Sequence, residues 1–126
     1  MIKIPVAPLS ANRLWRGRKF KTQDYQIYEQ EVLYRLAKTV LQIDFTSIKK
    51  LTFFLKVGLS SKNSDLSNTI KALEDILQHK FSFNDKNTYM IIAEKEIVKK
   101  GQEYIAFDFL EYDIGLFDYI KTISTT

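Results

Sequence analysis

Two acids, an asparagine and a lysine are residue types that phosphate chemistry uses: Asp65, Asn68 and Lys71 fall in one short stretch, and Asp85 follows fourteen residues after the lysine. Carboxylates are what a hard divalent cation such as Mg2+ takes as ligands, together with water and phosphate oxygens. Such an ion lowers the pKa of a bound water and stabilises charge on the oxygens of an in-line displacement. An ammonium beside a reacting phosphate, such as Lys71 could offer, would stabilise the same developing charge. Each residue alone has a plainer reading. Asp65 serves as a helix-start carboxylate, Asp85 as a turn residue after Asn84, and Lys71 as a solvated helix lysine.

A second cluster lies upstream. Arg13, Arg16, Arg18, Lys19 and Lys21 fall within nine residues with no acid among them, directly after Asn12. Successive cations of this kind neutralise successive phosphates of a nucleic-acid backbone; a merely solvated surface is the alternative. The charge is uneven along the chain. Residues 1–50 hold ten Lys/Arg against four acids, residues 51–109 eight against eight, and residues 110–126 one against three, giving the net +4. Trp15, inside the basic run, either closes the core or stacks on a base.

Composition narrows the chemistry further. The chain has no cysteine and one histidine, His79, which excludes disulfides, thiolate metal sites and a histidine-built zinc cluster within one chain. His79 itself reads as a surface residue near a helix C-terminus. No apolar run approaches the roughly 18 residues needed to span a bilayer, so a cytoplasmic location and no membrane partner are expected. With 126 residues, 45% of them hydrophobic, the chain suits one domain, 1–126, with one core.

The elements that must position these residues are legible from periodicity. Ile2, Ile4 and Val6 alternate with Lys3 and Pro5, predicting a short strand at a sheet edge, since Pro5 cannot donate to a ladder. Residues 8–22 read as a loop carrying the basic cluster. Residues 23–41 predict an amphipathic helix capped by Thr22, with Ile27, Val32, Leu36 and Val40 on its apolar face. Residues 48–59 alternate as a half-buried strand through Leu51, Phe53, Leu55 and Val57. After the polar run 60–64, Leu66, Ile70, Leu73 and Leu77 mark one face of a second helix, with Asn63 or Ser64 as its cap. Residues 81–87 read as a turn, 89–98 as a strand, and 104–110 as a last strand forming a hairpin with it around Gly101. The expected fold is a small α/β (α+β) domain with a mixed sheet and two main helices, in the order β-α-β-α-β-β. Residues 111–126 form a C-terminal extension, with a short helix docking on the sheet or on another subunit.

The stretch Asp65-Leu66-Ser67-Asn68-Thr69-Ile70-Lys71, followed by Asn84-Asp85, resembles the RusA-type Holliday junction resolvases. In that family an Asp-x-Asp-Asn-x-x-Lys segment opens a helix and a distant aspartate sits in a turn before the next strand. Upstream, Pro8-Leu9-Ser10-Ala11-Asn12-Arg13 and Arg16-Gly17-Arg18 are similar to the family's Pro-Pro-Ser-Asn-Asn-Arg loop and the basic segment after it. The resemblance covers residues 2–109. It implies a RusA-like fold and a homodimeric endonuclease that cuts four-way DNA junctions in recombination and repair, using Mg2+ or Mn2+. It further implies Asp65 and Asp85 as metal ligands, Lys71 as the catalytic cation and Asn68 in support. Asn12, Arg13, Arg16, Arg18, Lys19 and Lys21 would then grip DNA. A cellular or a phage origin fits equally.

One departure matters. Ser67 stands where the family has its second metal-binding aspartate, which removes one full negative charge from the site. Asp75, Glu94 or Glu96 would have to replace it. Asp75 lies about 15 Å along the helix axis from Asp65, which argues against it, and Glu94 and Glu96 share one strand face. The alternative expectation is a family member that binds branched DNA without cutting it.

Overall fold

A computed structural model describes residues 1–9, 15–16, 20–113 and 115–124; of 15, 16, 20, 21, 116, 119, 122 and 124 it describes the backbone alone. A four-stranded mixed sheet in the order β1-β6-β4-β5 carries two main helices on one face, an α+β architecture. Its elements are β1 (Ile2–Ile4), α1 (Gln23–Arg35), β4 (Leu51–Leu59), α2 (Ser67–Phe81), β5 (Thr88–Ile97), β6 (Tyr104–Glu111) and α3 (Leu116–Ser124). Two short strands, β2 (Trp15–Arg16) and β3 (Phe20–Lys21), pair antiparallel inside the segment expected to be a loop.

The centre of the sheet is β4, because its alternate residues Leu51, Phe53, Leu55, Val57 and Leu59 are all buried and so demand neighbours on both edges. On one side it runs parallel to β5, through the α2 crossover that a parallel pair requires. On the other it pairs antiparallel with β6, setting Phe53 against Phe109, Leu55 against Phe107 and Val57 against Ile105. The expected β5–β6 hairpin is therefore wrong: β4 lies between them. Residues 98–103 step over one strand, a gap of about 10 Å, with Gly101 at φ 93° in the reversal. Burying both edges of the most apolar strand outweighs the local pairing that the turn suggested. Among the described residues β1 pairs with β6 alone and sits at the edge, as expected, with Pro5 directly after it.

Helix α1 begins where expected, with the Thr22 hydroxyl accepting from the Tyr25 N–H at 3.1 Å. It ends at Arg35 rather than near Leu41. The last turn tightens, Ala37 N–H bonding to the Tyr34 carbonyl, and Val40, expected on the apolar face, is 86% exposed. The buried face is Tyr25, Tyr28, Val32 and Leu36, which leaves Ile27 on the solvent side. The next strand likewise starts at Leu51 rather than Ile48, since Asp44 folds residues 44–47 into a turn by accepting from Thr46 and Ser47. Helix α3 forms within the C-terminal extension and leaves Phe117 and Ile120 largely exposed.

The core is rich in aromatic rings. Phe109 stacks on Phe53 with centroids 4.9 Å apart and meets Phe83 and Phe45 edge-on at 4.9 and 5.6 Å. The sheet face turned away from the helices holds Tyr104, whose hydroxyl donates to Glu96 at 3.0 Å beneath the Lys3 ammonium. That ring packs directly over Gly58 and would overlap any Cβ placed there. Gly58→Ala is expected to destabilise the domain by about 1–3 kcal/mol through this overpacking. A shift in the urea midpoint would measure it, and an unchanged midpoint would show the ring free to move aside.

Candidate functional site

The first turn of α2 is built by Asp65. Its Oδ1 accepts from the Ser67 backbone N–H at 3.1 Å and from the Ser67 hydroxyl at 2.8 Å, and its Oδ2 accepts from the Asn68 amide at 3.4 Å. The cap is thus Asp65, not Asn63 or Ser64, with the negative charge at the positive end of the helix dipole. Leu66, between them, is already helical. The loop before the helix is pinned from the sheet by Lys95, whose ammonium donates to the carbonyls of Ser64 (2.9 Å) and Lys62 (3.3 Å).

One turn past Asn68, Lys71 places its ammonium 3.0 Å from Asp75 Oδ1 and 3.7 Å from Asp85 Oδ2. Asp85 opens a 3-10 turn (Asp85–Asn87) between α2 and β5, capped by the Asn84 side chain, which accepts from Lys86 N–H. Phe83, buried against Phe109, anchors that turn to the core. The fold therefore brings Asp85 to Lys71, and Asp65 to Asn68, while Asn68 and Lys71 are neighbours at i,i+3 on one helix face. The ion pairs of Lys71 run to Asp75 and Asp85 rather than to Asp65. Hydrogen bonding to Asp75 is the main cause that raises the Lys71 pKa, with Asp85 adding to it, so the side chain stays a cation.

Asp75, set aside for its distance from Asp65, stands at the Lys71 end of this row. It also borders a cleft of about 620 Å³ between α1 and α2, lined by Tyr25, Glu29 and His79 among others. Glu94 and Glu96 lie elsewhere: Glu94 pairs with Lys56 at 3.4 Å and Glu96 with Tyr104, both on the sheet face away from the helices. Neither replaces the carboxylate missing at Ser67. The basic cluster falls largely outside the described residues. Asn12, Arg13, Arg18 and Lys19 lie there entirely, and Arg16 and Lys21 are described only as backbone of β2 and β3.

Sequence reasoning missed Glu74. It sits on α2 only 7% exposed, with its Oε2 buried and without a hydrogen-bond partner, and the Thr88 Oγ1 is buried and unpartnered likewise. A signal was present, since Glu74 is four residues after Ile70 and three before Leu77, an acid on the apolar face. Burial is the chief cause that raises its pKa above the ordinary 4.5. Asp85 and Asp75 add to the rise, while the Thr88 hydroxyl and the Lys71 ammonium oppose it.

A stability prediction follows from that shift. The folded chain binds the Glu74 proton more tightly than the unfolded chain, so its contribution is full below pH 4.5 and lost as pH rises through the raised value. Glu74→Gln cannot ionise. It is expected to be more stable than the parent at about pH 7, with the gain shrinking at about pH 4. Urea midpoints at both pH values check this, and a variant less stable at the higher pH would contradict it.

Carboxylate and hydroxyl oxygens suit a hard divalent cation, and Mg2+ usually takes only one or two carboxylates beside water and phosphate. Among the described residues, no three His, Asp or Glu side chains stand together as a ready-made cage. Nor, among them, is any helix long and apolar enough to cross a membrane. Compared with known proteins, the sequence matches no family model and no curated protein.

Proposed function

We propose that this chain is a RusA-type structure-specific endonuclease that hydrolyses phosphodiester bonds in four-way DNA junctions, working as a homodimer with Mg2+ or Mn2+. The observation that carries this reading is the meeting of Lys71 and Asp85, fourteen residues apart in sequence and 3.7 Å apart in space, on the helix whose first turn Asp65 and Asn68 build. When bound, the cation supplies a lowered water pKa and charge neutralisation at the phosphate. Asp65 and Asp85 are the side chains to hold it, Asn68 fixes the Asp65 carboxylate, and Lys71 neutralises charge on the phosphate oxygens. Asn12, Arg13, Arg16, Arg18, Lys19 and Lys21 grip the backbone, so that selectivity rests on junction shape rather than base readout. A symmetric junction offers two strands to cut and each chain one site, which is the reason for a dimer.

A second reading is favoured by Ser67. Its hydroxyl is committed to Asp65 at 2.8 Å, and a neutral hydroxyl leaves the site one charge short. In that reading the chain binds branched DNA without cutting it. A labelled four-way junction incubated in magnesium and in calcium separates the two. Nicking in magnesium alone supports the enzyme; binding without nicking, with cleavage restored by Ser67→Asp, supports the binder. Neither binding nor nicking by the parent and by Ser67→Asp would refute both.

A further inference from the structure

The two edges of the sheet are unlike. β1 is three residues long, with Pro5 directly after it. At the other edge β5 runs for ten residues with neither proline nor glycine, and among the described residues it pairs with β4 alone. Tyr89, Ile91, Ile92 and Ile97 stand exposed along it. A long apolar edge offers a row of N–H and C=O groups to another strand, which proteins otherwise prevent with short strands, prolines, bulges or charges. The charges of β5 do not guard its outer side. Glu94 is drawn to Lys56 on the neighbouring strand at 3.4 Å, Glu96 to the Tyr104 hydroxyl at 3.0 Å, and Lys95 to the carbonyls of Lys62 and Ser64 before α2.

We infer that β5 pairs antiparallel with β5 of a second copy, about a two-fold axis at Ile92, so that the two sheets join into one. Main-chain hydrogen bonds between the strands hold such a contact, and the alternate side chains select the partner. A two-fold contact must be self-complementary, and like charges directly opposed across an antiparallel pair are destabilising. With the axis at Ile92, that side chain meets its own copy, Ile91 faces Ala93, Tyr89 faces Lys95 and Met90 faces Glu94, so no two like charges are opposed. An axis at Glu94 or Lys95 sets that charge against itself. An axis at Ala93 faces Ile91 with Lys95 and Ile92 with Glu94, losing the apolar centre. The inference gives the proposed homodimer its interface and rests on that reading for the second copy as occupant; the open edge itself is independent of it.

The test is analytical ultracentrifugation of the full chain without DNA, over a range of concentration, for the parent, Ile92→Lys, Ile92→Glu and Ile27→Lys. The parent is expected to dimerise at submillimolar concentration, and Ile27→Lys, on the solvent side of α1, to match it. Ile92→Lys opposes two ammonium groups on the axis and Ile92→Glu two carboxylates. Each alone is expected to weaken the dimer at least about tenfold, as like charges set together at an interface do. An equimolar mixture of the two is expected to dimerise again, which misfolded chains would not do. A monomeric parent, a dimer that both Ile92 variants leave intact, or a broken dimer that mixing does not restore would overturn the pairing. Gel shifts of a four-way junction on the same preparations report separately on the nuclease reading: junction binding by a monomeric parent removes only this interface, and a dimer restored by mixing without junction binding removes only the nucleic-acid function.

Discussion

Phe109→Ala is expected to cost about 3–5 kcal/mol of stability, the usual price of deleting a buried aromatic ring. A domain of this kind has about 5–15 kcal/mol in all, so the variant would stand near the limit of folding. The large value follows from where the ring sits. Phe109 is 3% exposed and contacts Phe53 on the central strand, Phe45 in the α1–β4 connection and Phe83 after α2. No single neighbour can collapse into the space without abandoning another. Because Phe83 holds the turn that carries Asp85, surviving folded molecules should also bind Mn2+ more weakly than the parent. Chemical denaturation measures the first effect, and a loss below about 1 kcal/mol would show that the aromatic cluster repacks.

The second large effect concerns Lys71. Lys71→Met keeps the apolar stem and removes the charge; removing one such electrostatic contact to a developing charge typically lowers the rate about 10²- to 10³-fold. Nicking of a four-way junction should fall by that much, while stability changes little because the lysine is more than half exposed and surface pairs contribute about 0–1 kcal/mol. Asp85→Asn should reduce nicking at least as far, with junction binding retained. Single-turnover cleavage with saturating protein separates the chemical step from binding. Unchanged single-turnover rates in both variants would place the chemistry elsewhere on the molecule.

How much of this was legible in the sequence differs by element. The alternation from Leu51 to Val57 and the apolar spacing of Leu66, Ile70, Leu73 and Leu77 identified β4 and α2, because the face each turns to the core is written in residue type; that the other face of β4 is also covered, with Thr52 buried, was not. Thr22 marked the start of α1 for a local reason, one hydroxyl and one free N–H. What failed was non-local. Nothing in residues 89–110 says that β4 will insert between the two strands; that depends on how much apolar surface β4 must cover on each edge. The α1 terminus failed because Val40 continued the helical spacing into a segment that the turn at Asp44 draws away.

The site divides the same way. Asp65, Asn68, Lys71 and Asp85 stood out through the resemblance to the resolvase pattern; alone, each reads as a helix-start, turn or surface residue. The closeness of Asp75 to Lys71 was hidden by measuring it from Asp65, the far end of the row. Glu74 was hidden by its own surroundings, since an acid among leucines and isoleucines reads as an interruption of the apolar face until its burial and its unpartnered oxygen are seen. Glu94 and Glu96 shared a strand face as expected, but that face is spent on Lys56 and Tyr104.

Both functional readings require recognition of branched DNA, with or without cutting, and one measurement addresses it directly. A labelled four-way junction and a linear duplex of the same sequence are each titrated with the full chain in EDTA, from low to physiological salt. The junction is expected to bind more tightly than the duplex, and its affinity to fall steeply and linearly on a logarithmic salt scale as several phosphate contacts are lost. Equal affinity for the two DNAs, or no retention of either at low salt, would contradict the account.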